Sequence, residues 1–290
     1  MTPRLARRAG AITLIAATTA ALAACGPGSA RLTFNETANV KTTAIVLSGH
    51  SGGVAVTALP ISETRITRVV RRSSDPDDSY RFDGTVLHLN TTCGPDCTVS
   101  YQIEAPAGVS VTGNLDSGDI TLDGVASADL RVTSGDIAIK GTTGQVKAVA
   151  TSGTITAIDT RGPVSLEATS GDVRAMTLAG GPVEVRATSG DLDLGLAVAT
   201  SVRAEATSGD INLRVPAGQY QVHASADSGD TRLDGVVNDP SATNVLDLRA
   251  SSGDVTVTTG PPGRVPAVPS RAAAPSAPVA PSTPVAPSTP

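Results

Sequence analysis

Aromatic side chains are nearly missing from this chain of 290 residues, which has no tryptophan, three tyrosines and two phenylalanines. A core must therefore be built from many small aliphatic side chains, and a ring platform for stacking sugars or bases is all but excluded. Lysine is as scarce, with only Lys41, Lys140 and Lys147. Acidic residues outnumber basic ones, 27 against 22. Without Arg4, Arg7 and Arg8, which lie in a leader, the balance is 19 against 27, or −8. That acidity, spread along the chain, argues against a nucleic-acid groove or a polybasic membrane patch. No apolar run approaches the ~20 residues of a membrane-spanning helix.

The first 24 residues have the three parts of a secretory signal. Arg4, Arg7 and Arg8 make a positive start, Ala9 to Leu22 is apolar and free of charge, and Ala23 and Ala24 are small. The run Leu22-Ala23-Ala24-Cys25, followed by Gly26, resembles the lipobox of bacterial lipoproteins. The resemblance implies cleavage before Cys25, a diacylglyceryl thioether on its sulfur and an acylated N-terminus. Two or three acyl chains, at ~0.8 kcal/mol per buried CH₂, would hold the protein firmly. The expected location is the outer face of the cytoplasmic membrane, in the cell envelope, where disulfides persist.

Only Cys93 and Cys97 remain, separated by Gly94-Pro95-Asp96, a strong turn sequence that lets the two thiols meet as a disulfide. A metal pair would need further ligands, and His50, His88 and His223 have no metal-ligand spacing. A redox pair normally has two intervening residues rather than three.

What the chain has in abundance is one repeated phrase. Ser-Gly-Asp begins at Ser117, Ser134, Ser170, Ser189, Ser208, Ser228 and Ser252, and Ser152-Gly153-Thr154 is a degenerate copy. The serines are mostly 17 to 20 residues apart, a period that signals a repeat architecture. Three positions after each serine stand Ile120, Ile137, Ile155, Val173, Leu192, Ile211, Thr231 and Val255. Apolar residues recur five after and two, four and six before it. Each repeat thus reads as two short strands of period two joined at the turn.

This pattern predicts an all-β fold. One form is a parallel β-solenoid, or β-helix, of about eight Ser-Gly-Asp rungs with an N-terminal β cap. The alternative is an antiparallel hairpin array, with Ser-Gly as a two-residue turn. Charges on the outward positions favour the solenoid. Three before the serines run Glu167, Arg186 and Glu205; five before run Glu184 and Arg203; Asp129 aligns with Lys147 and Arg174 with Asp193. An in-register parallel stack makes these neighbours at ~4.8 Å, whereas an antiparallel array would hold equivalent strands twice as far apart.

The same stacking forms a column of Asp119, Asp136, Asp172, Asp191, Asp210, Asp230 and Asp254. Adjacent carboxylates at that spacing repel by roughly 1 kcal/mol in water. The expected remedy is structural: each carboxylate accepts backbone N–H bonds in its own turn. A row of calcium sites is the competing account, but one carboxylate per turn is a poor cage for an ion that takes 6–8 oxygens. No metal and no cofactor are expected.

The chain divides into a signal peptide (1–24), a lipidated N-terminus and linker (25–40), an N-terminal β cap with first rungs (41–110), the solenoid repeats (111–259) and a Pro-rich tail (260–290). Residues 73–79 read as a polar loop and 234–244 as an insertion lengthening the last repeat. Pro275, Pro278, Pro281, Pro284, Pro287 and Pro290 recur every third residue, which biases the tail to extended polyproline conformation with no means of packing a core.

Residues 40 to 258 resemble the bacterial putative-adhesin family of β-strand-repeat domains of unknown function. The resemblance rests on Ala105-Pro106-Ala107-Gly108-Val109 and on serial rungs such as Ala187-Thr188-Ser189-Gly190-Asp191-Leu192. It implies a β-helical envelope protein with no assigned catalytic residues. The functional expectation is a non-enzymatic, lipid-anchored, adhesin-like binding or scaffold module, with envelope polysaccharide or a surface protein as partner and no nucleic acid. One alternative is an accessory to envelope-stress signalling. Another is a polysaccharide-acting β-helix enzyme, although no loop groups a histidine, a lysine and an acid together.

Overall fold

The computed structural model describes residues 30–72, 79–94 and 97–261. Those residues form 23 strands and no helix, in one sheet of twelve strands and one of eleven. The leader with Cys25, most of the 73–79 loop and the tail beyond Pro261 lie outside the described residues.

Every repeat contributes one strand to each sheet, and the Ser-Gly-Asp turn is the corner between them. In the Ser189 rung, Val183–Ser189 lies in the eleven-stranded sheet and Leu192–Leu196 in the twelve-stranded one. Rungs stack in parallel and in register: Val183 aligns with Val202, Ala187 with Ala206 and Ser189 with Ser208. This is the solenoid rather than the hairpin array. The period-two pattern sends Ile120, Ile137, Ile155, Val173, Leu192, Ile211 and Val255 between the sheets, each fully buried. A column of Val, Ile, Leu and Ala suffices because each buried aliphatic adds roughly 1.5–3 kcal/mol, and alanine less.

Glycine at the corner is fixed by crowding. A Cβ on Gly190 would stand 2.2 Å from the carbonyl oxygen of Gly171, and one on Gly209 would stand 2.2 Å from that of Gly190. Both residues also have φ of +136°, which side chains rarely adopt. The corners stack so closely that only a residue without a side chain passes.

The ends depart from chain order. Ahead of the Ser117 rung come a rung of Ala44–Ser48 with Val54–Leu59 and another of Val86–Asn90 with Thr98–Pro106. The earlier of these lies between the later one and the Ser117 rung. At the other end, the Ser252 rung (Val245–Ser252 and Val255–Thr259) is inserted between the Ser208 rung and the Ser228 rung. The 234–244 segment, expected as an insertion, is the return path that permits this. First and last rungs in sequence are thus both interior.

The N-terminal end is closed by strands that run against the stack. Ala30–Ala38 pairs antiparallel with Thr64–Arg72, which pairs antiparallel with Thr98–Pro106, and Tyr80–Asp83 covers Val86–Asn90. Residues 30–38 were expected in a linker and are instead the outermost strand. Leu32 and Phe34 give this stretch only two apolar alternations, too short a period to recognise. The Arg68 guanidinium lies 4.7 Å over the Phe34 ring and 5.9 Å from the Tyr80 ring, and Tyr80 meets Phe82 edge to face. Beneath them Tyr101 is 1% exposed and donates its hydroxyl to the carbonyl of Ser79 at 2.6 Å. Burial pushes that phenol up to about 12.

Candidate functional site

The regular outer faces are where the chain can meet a partner, and the register fixes what they present. On the eleven-stranded sheet, Glu167, Arg186, Glu205 and Arg249 occupy one row, and Glu184, Arg203 and Asp247 the row beside it. Arg186 donates to Glu205 at 3.1 Å and meets Glu184 at 2.5 Å. Arg203 donates to Glu205 at 2.6 Å and comes within 4.0 Å of Asp247. Arg249 lies 3.7 Å from Glu205 and 2.9 Å from Asp247, the latter a charge contact without hydrogen-bond geometry. The hydrogen bond from Arg203 holds the Glu205 carboxyl below its ordinary range, and Glu205 in turn holds Arg186 and Arg203 above theirs. Across the molecule, on the twelve-stranded sheet, Arg174 bridges Asp172 at 3.3 Å and Asp193 at 3.7 Å.

Glu167, Glu184, Arg186, Arg203 and Glu205 were expected as neighbours. Asp247 and Arg249 were missed, although they stand five and three before Ser252 and obey the same counting rule. Finding them required knowing that the Ser252 rung follows the Ser208 rung in space.

The turn aspartates form a ladder of a kind not foreseen. Five of the seven carboxylates accept the backbone N–H of the aspartate in the next turn, not one in their own. Asp119 accepts from Asp136 at 3.0 Å, Asp172 from Asp191 at 3.2 Å, Asp191 from Asp210 at 2.9 Å, Asp210 from Asp254 at 2.8 Å and Asp254 from Asp230 at 2.9 Å. Asp136 serves Thr154 in the same way at 2.7 Å, and Thr154 has no carboxylate to pass the pattern on. The turn backbones also bond across rungs, as from Gly209 to the Ser252 carbonyl at 2.9 Å. Parallel stacking explains this: the nearest unsatisfied amide to each carboxylate lies one rung away. The ladder binds rungs together and helps offset the repulsion along the column.

Of the other expected positions, Cys93 and Cys97 stand at disulfide distance with Cα atoms 5.4 Å apart. Cys25 lies outside the described residues. His50 pairs with Asp116 at an exposed corner, and His88 and His223 lie on different rungs. Among the described residues no three of His, Cys, Asp and Glu converge on one point. A shallow hollow lined by Gly113, Asn114, Asp129 and Arg131 interrupts the eleven-stranded face. There a Cβ on Gly113 would stand 2.1 Å from the Leu47 carbonyl, so glycine lets the two strands close up.

Comparison with known proteins adds a family. The model of the Toastrack DUF4097 family matches residues 28–179 and again 162–258. The chain belongs to the Toastrack DUF4097 family. The two Toastrack matches overlap over 162–179, the length of one rung, as expected of a repetitive fold. A solved structure of a putative adhesin from Parabacteroides merdae superimposes with a TM-score of 0.50 at 10% identity, covering 79% of this chain and 96% of that one. One from Bacteroides fragilis, also called a putative adhesin, gives 0.41 at 14% identity, over 79% and 97%. The first likeness concerns the Toastrack fold alone. No curated protein matches the sequence.

Proposed function

We propose that this Toastrack chain is a lipid-anchored protein of the cell surface that binds or scaffolds an envelope partner and performs no chemistry. The observation that carries the reading is the two-row array of Glu, Arg and Asp on the eleven-stranded face, repeated at the ~4.8 Å rung spacing on a rigid support. Such an array suits many modest contacts that add through avidity. With so few rings, recognition proceeds through ion pairs and hydrogen bonds, so it weakens with salt. The name of the solved structure from Parabacteroides merdae, a putative adhesin, agrees with this reading. The anchor is Cys25, supplied by the lipobox-like run.

The test is a screen of the mature, lipidated chain on vesicles against envelope polysaccharides and surface proteins. Retention of a partner is expected, reduced by Arg186→Ala with Arg203→Ala while melting changes by only a few degrees. Turnover of any polysaccharide, abolished by one point substitution that leaves the fold intact, would overturn the non-enzymatic reading. Cys25→Ser is expected to release the protein from membranes.

A further inference from the structure

The two ends of the stack are finished differently, and the C-terminal end presents a strand edge. Thr231–Asp234 is the last strand of the twelve-stranded sheet, and among the described residues nothing pairs with its outer side. All four residues are exposed, including Leu233, which occupies an inward position yet is 43% exposed, and Val237 just beyond is 74% exposed. The companion strand Gln221–Ser228 is partly covered: Asp239 donates to the Tyr220 carbonyl, and the Asn238 side chain accepts from Val222, both at 2.9 Å. Beyond Val222 the outer side of Gln221–Ser228 is also unpaired among the described residues, so Thr231–Asp234 is the edge strand with no cover at all.

The direction of its backbone groups follows from the bonds it does make. The Asp230 carbonyl accepts from Val255, and the Asp230 amide donates to Asp254. Residue 230 and, by alternation, residues 232 and 234 face the stack. The N–H and C=O groups of Thr231 and Leu233 face outward, unpaired among the described residues.

We propose that a second copy of this chain covers this edge, the two Thr231–Asp234 strands pairing antiparallel about a twofold axis through Leu233. An axis through Thr231 would set the strand against the Ser228–Asp230 turn of the other copy, which leaves two self-pairings that are centred on the strand and keep inward residues opposite inward ones and outward groups opposite outward ones. In one the axis passes through Arg232, which sets Arg232 against Arg232 and Asp234 against Asp230 of the other copy. In the other it passes through Leu233. Leu233 then opposes Leu233 in a hydrogen-bonded pair, and Arg232 opposes Asp234 twice. Opposite charges select the second and like charges reject the first. The arrangement uses the outward amides and covers the exposed Leu233, and a twofold contact closes on itself. The Pro-rich tail is an unsuitable occupant, because Pro262, Pro266 and Pro269, and then a proline at every third position from Pro275, lack the N–H that a ladder needs. A head-to-tail contact would have to use the N-terminal edge, Ala30–Ala38, and would grow into filaments.

The test is sedimentation velocity on the full chain in mild detergent, from ~1 to ~100 µM, a range bracketing micromolar association. A dimer is expected. Arg232→Asp, which places acid against Asp234, should weaken it by roughly tenfold or more, and Arg232→Asp combined with Asp234→Arg should restore it. As an independent readout, Leu233→Cys should cross-link to itself under mild oxidation, since facing residues of a hydrogen-bonded pair have Cα atoms about 5.5 Å apart, within disulfide reach. Arg232→Cys should not. These positions are exposed, so unchanged circular dichroism and melting of the dilute variants are expected. The proposal is overturned by a monomer throughout the range, by a dimer indifferent to Arg232→Asp, by cross-linking through Arg232→Cys instead of Leu233→Cys, or by a continuing series of larger species.

Discussion

The two ends of the solenoid solve the same problem with different material. At the N-terminal end, Phe34, Tyr80, Phe82 and Tyr101, four of the five aromatic residues of the chain, close the core with Arg68 laid across the rings. At the C-terminal end only the Asn238–Asp239 stretch and Tyr220 give partial cover, to one sheet, and Leu233 stays in solvent. Small aliphatic columns are sufficient where a rung has a neighbour on each side, because the next rung supplies the missing contacts. They cannot roof themselves. Closing a stack takes bulk, irregular sequence and antiparallel strands, and among the described residues this chain brings all three together only at the N-terminal end.

The comparison can be broken most decisively at one column position. Ile211 and Thr231 both stand three after a turn serine, but Ile211 is fully buried and Thr231 is exposed. Ile211→Asp should cost several kcal/mol, whereas Thr231→Asp should stay within roughly 0.5 kcal/mol in dilute monomer. Equal losses of melting temperature would mean that the C-terminal end is covered after all. Next in size is Tyr101→Ala, which removes the floor of the N-terminal plug and should cost ~3–5 kcal/mol by thermal or urea unfolding. Leu233→Ala at the open end should cost less than about 1 kcal/mol.

Two smaller effects sharpen the picture of the middle. Thr142 and Thr160 are fully buried, and their hydroxyls find no partner. Thr142→Val and Thr160→Val should each raise stability by up to ~1 kcal/mol, since an unpaired hydroxyl is replaced by an apolar group of the same shape. The smallest effect concerns pH. Glu205 has its pKa lowered in the folded state, so its contribution is present above its unfolded value near ~4.3 and is lost as pH falls through the lower folded value. Glu205→Gln should reduce stability at neutral pH by under about 1 kcal/mol, with the difference vanishing in acid.

Much of the middle was legible because the repeat states its own register. Position three after each serine is aliphatic in seven of eight repeats, and the exception, Thr231, is in the rung that has no outer neighbour among the described residues. The order of the rungs was not read, since rungs built alike fit beside any other. Yet the charges carried that information. Beyond Glu205 in its row, the Ser228 repeat offers only Ser225, while the Ser252 repeat offers Arg249. The 24-residue gap from Ser228 to Ser252 was a second signal. The cross-rung use of the aspartates was harder to see, because the sequence places a carboxylate beside its own turn amides and only the stack brings the next ones nearer. The N-terminal plug left little trace, as Phe34 and Arg68 meet through a pairing between distant strands.

The interior position of the last rung has a mechanical consequence. A terminal rung in chain order would peel away bond by bond when its free end is pulled. Here the chain beyond Thr259 departs from a rung gripped on both sides, with Val255–Thr259 between Ile211–Val215 and Thr231–Asp234. Tension on the tail along the strand therefore shears two parallel ladders together and loads their hydrogen bonds simultaneously. A protein tethered at one end and tugged at the other would resist detachment with the strength of a rivet rather than of a zipper.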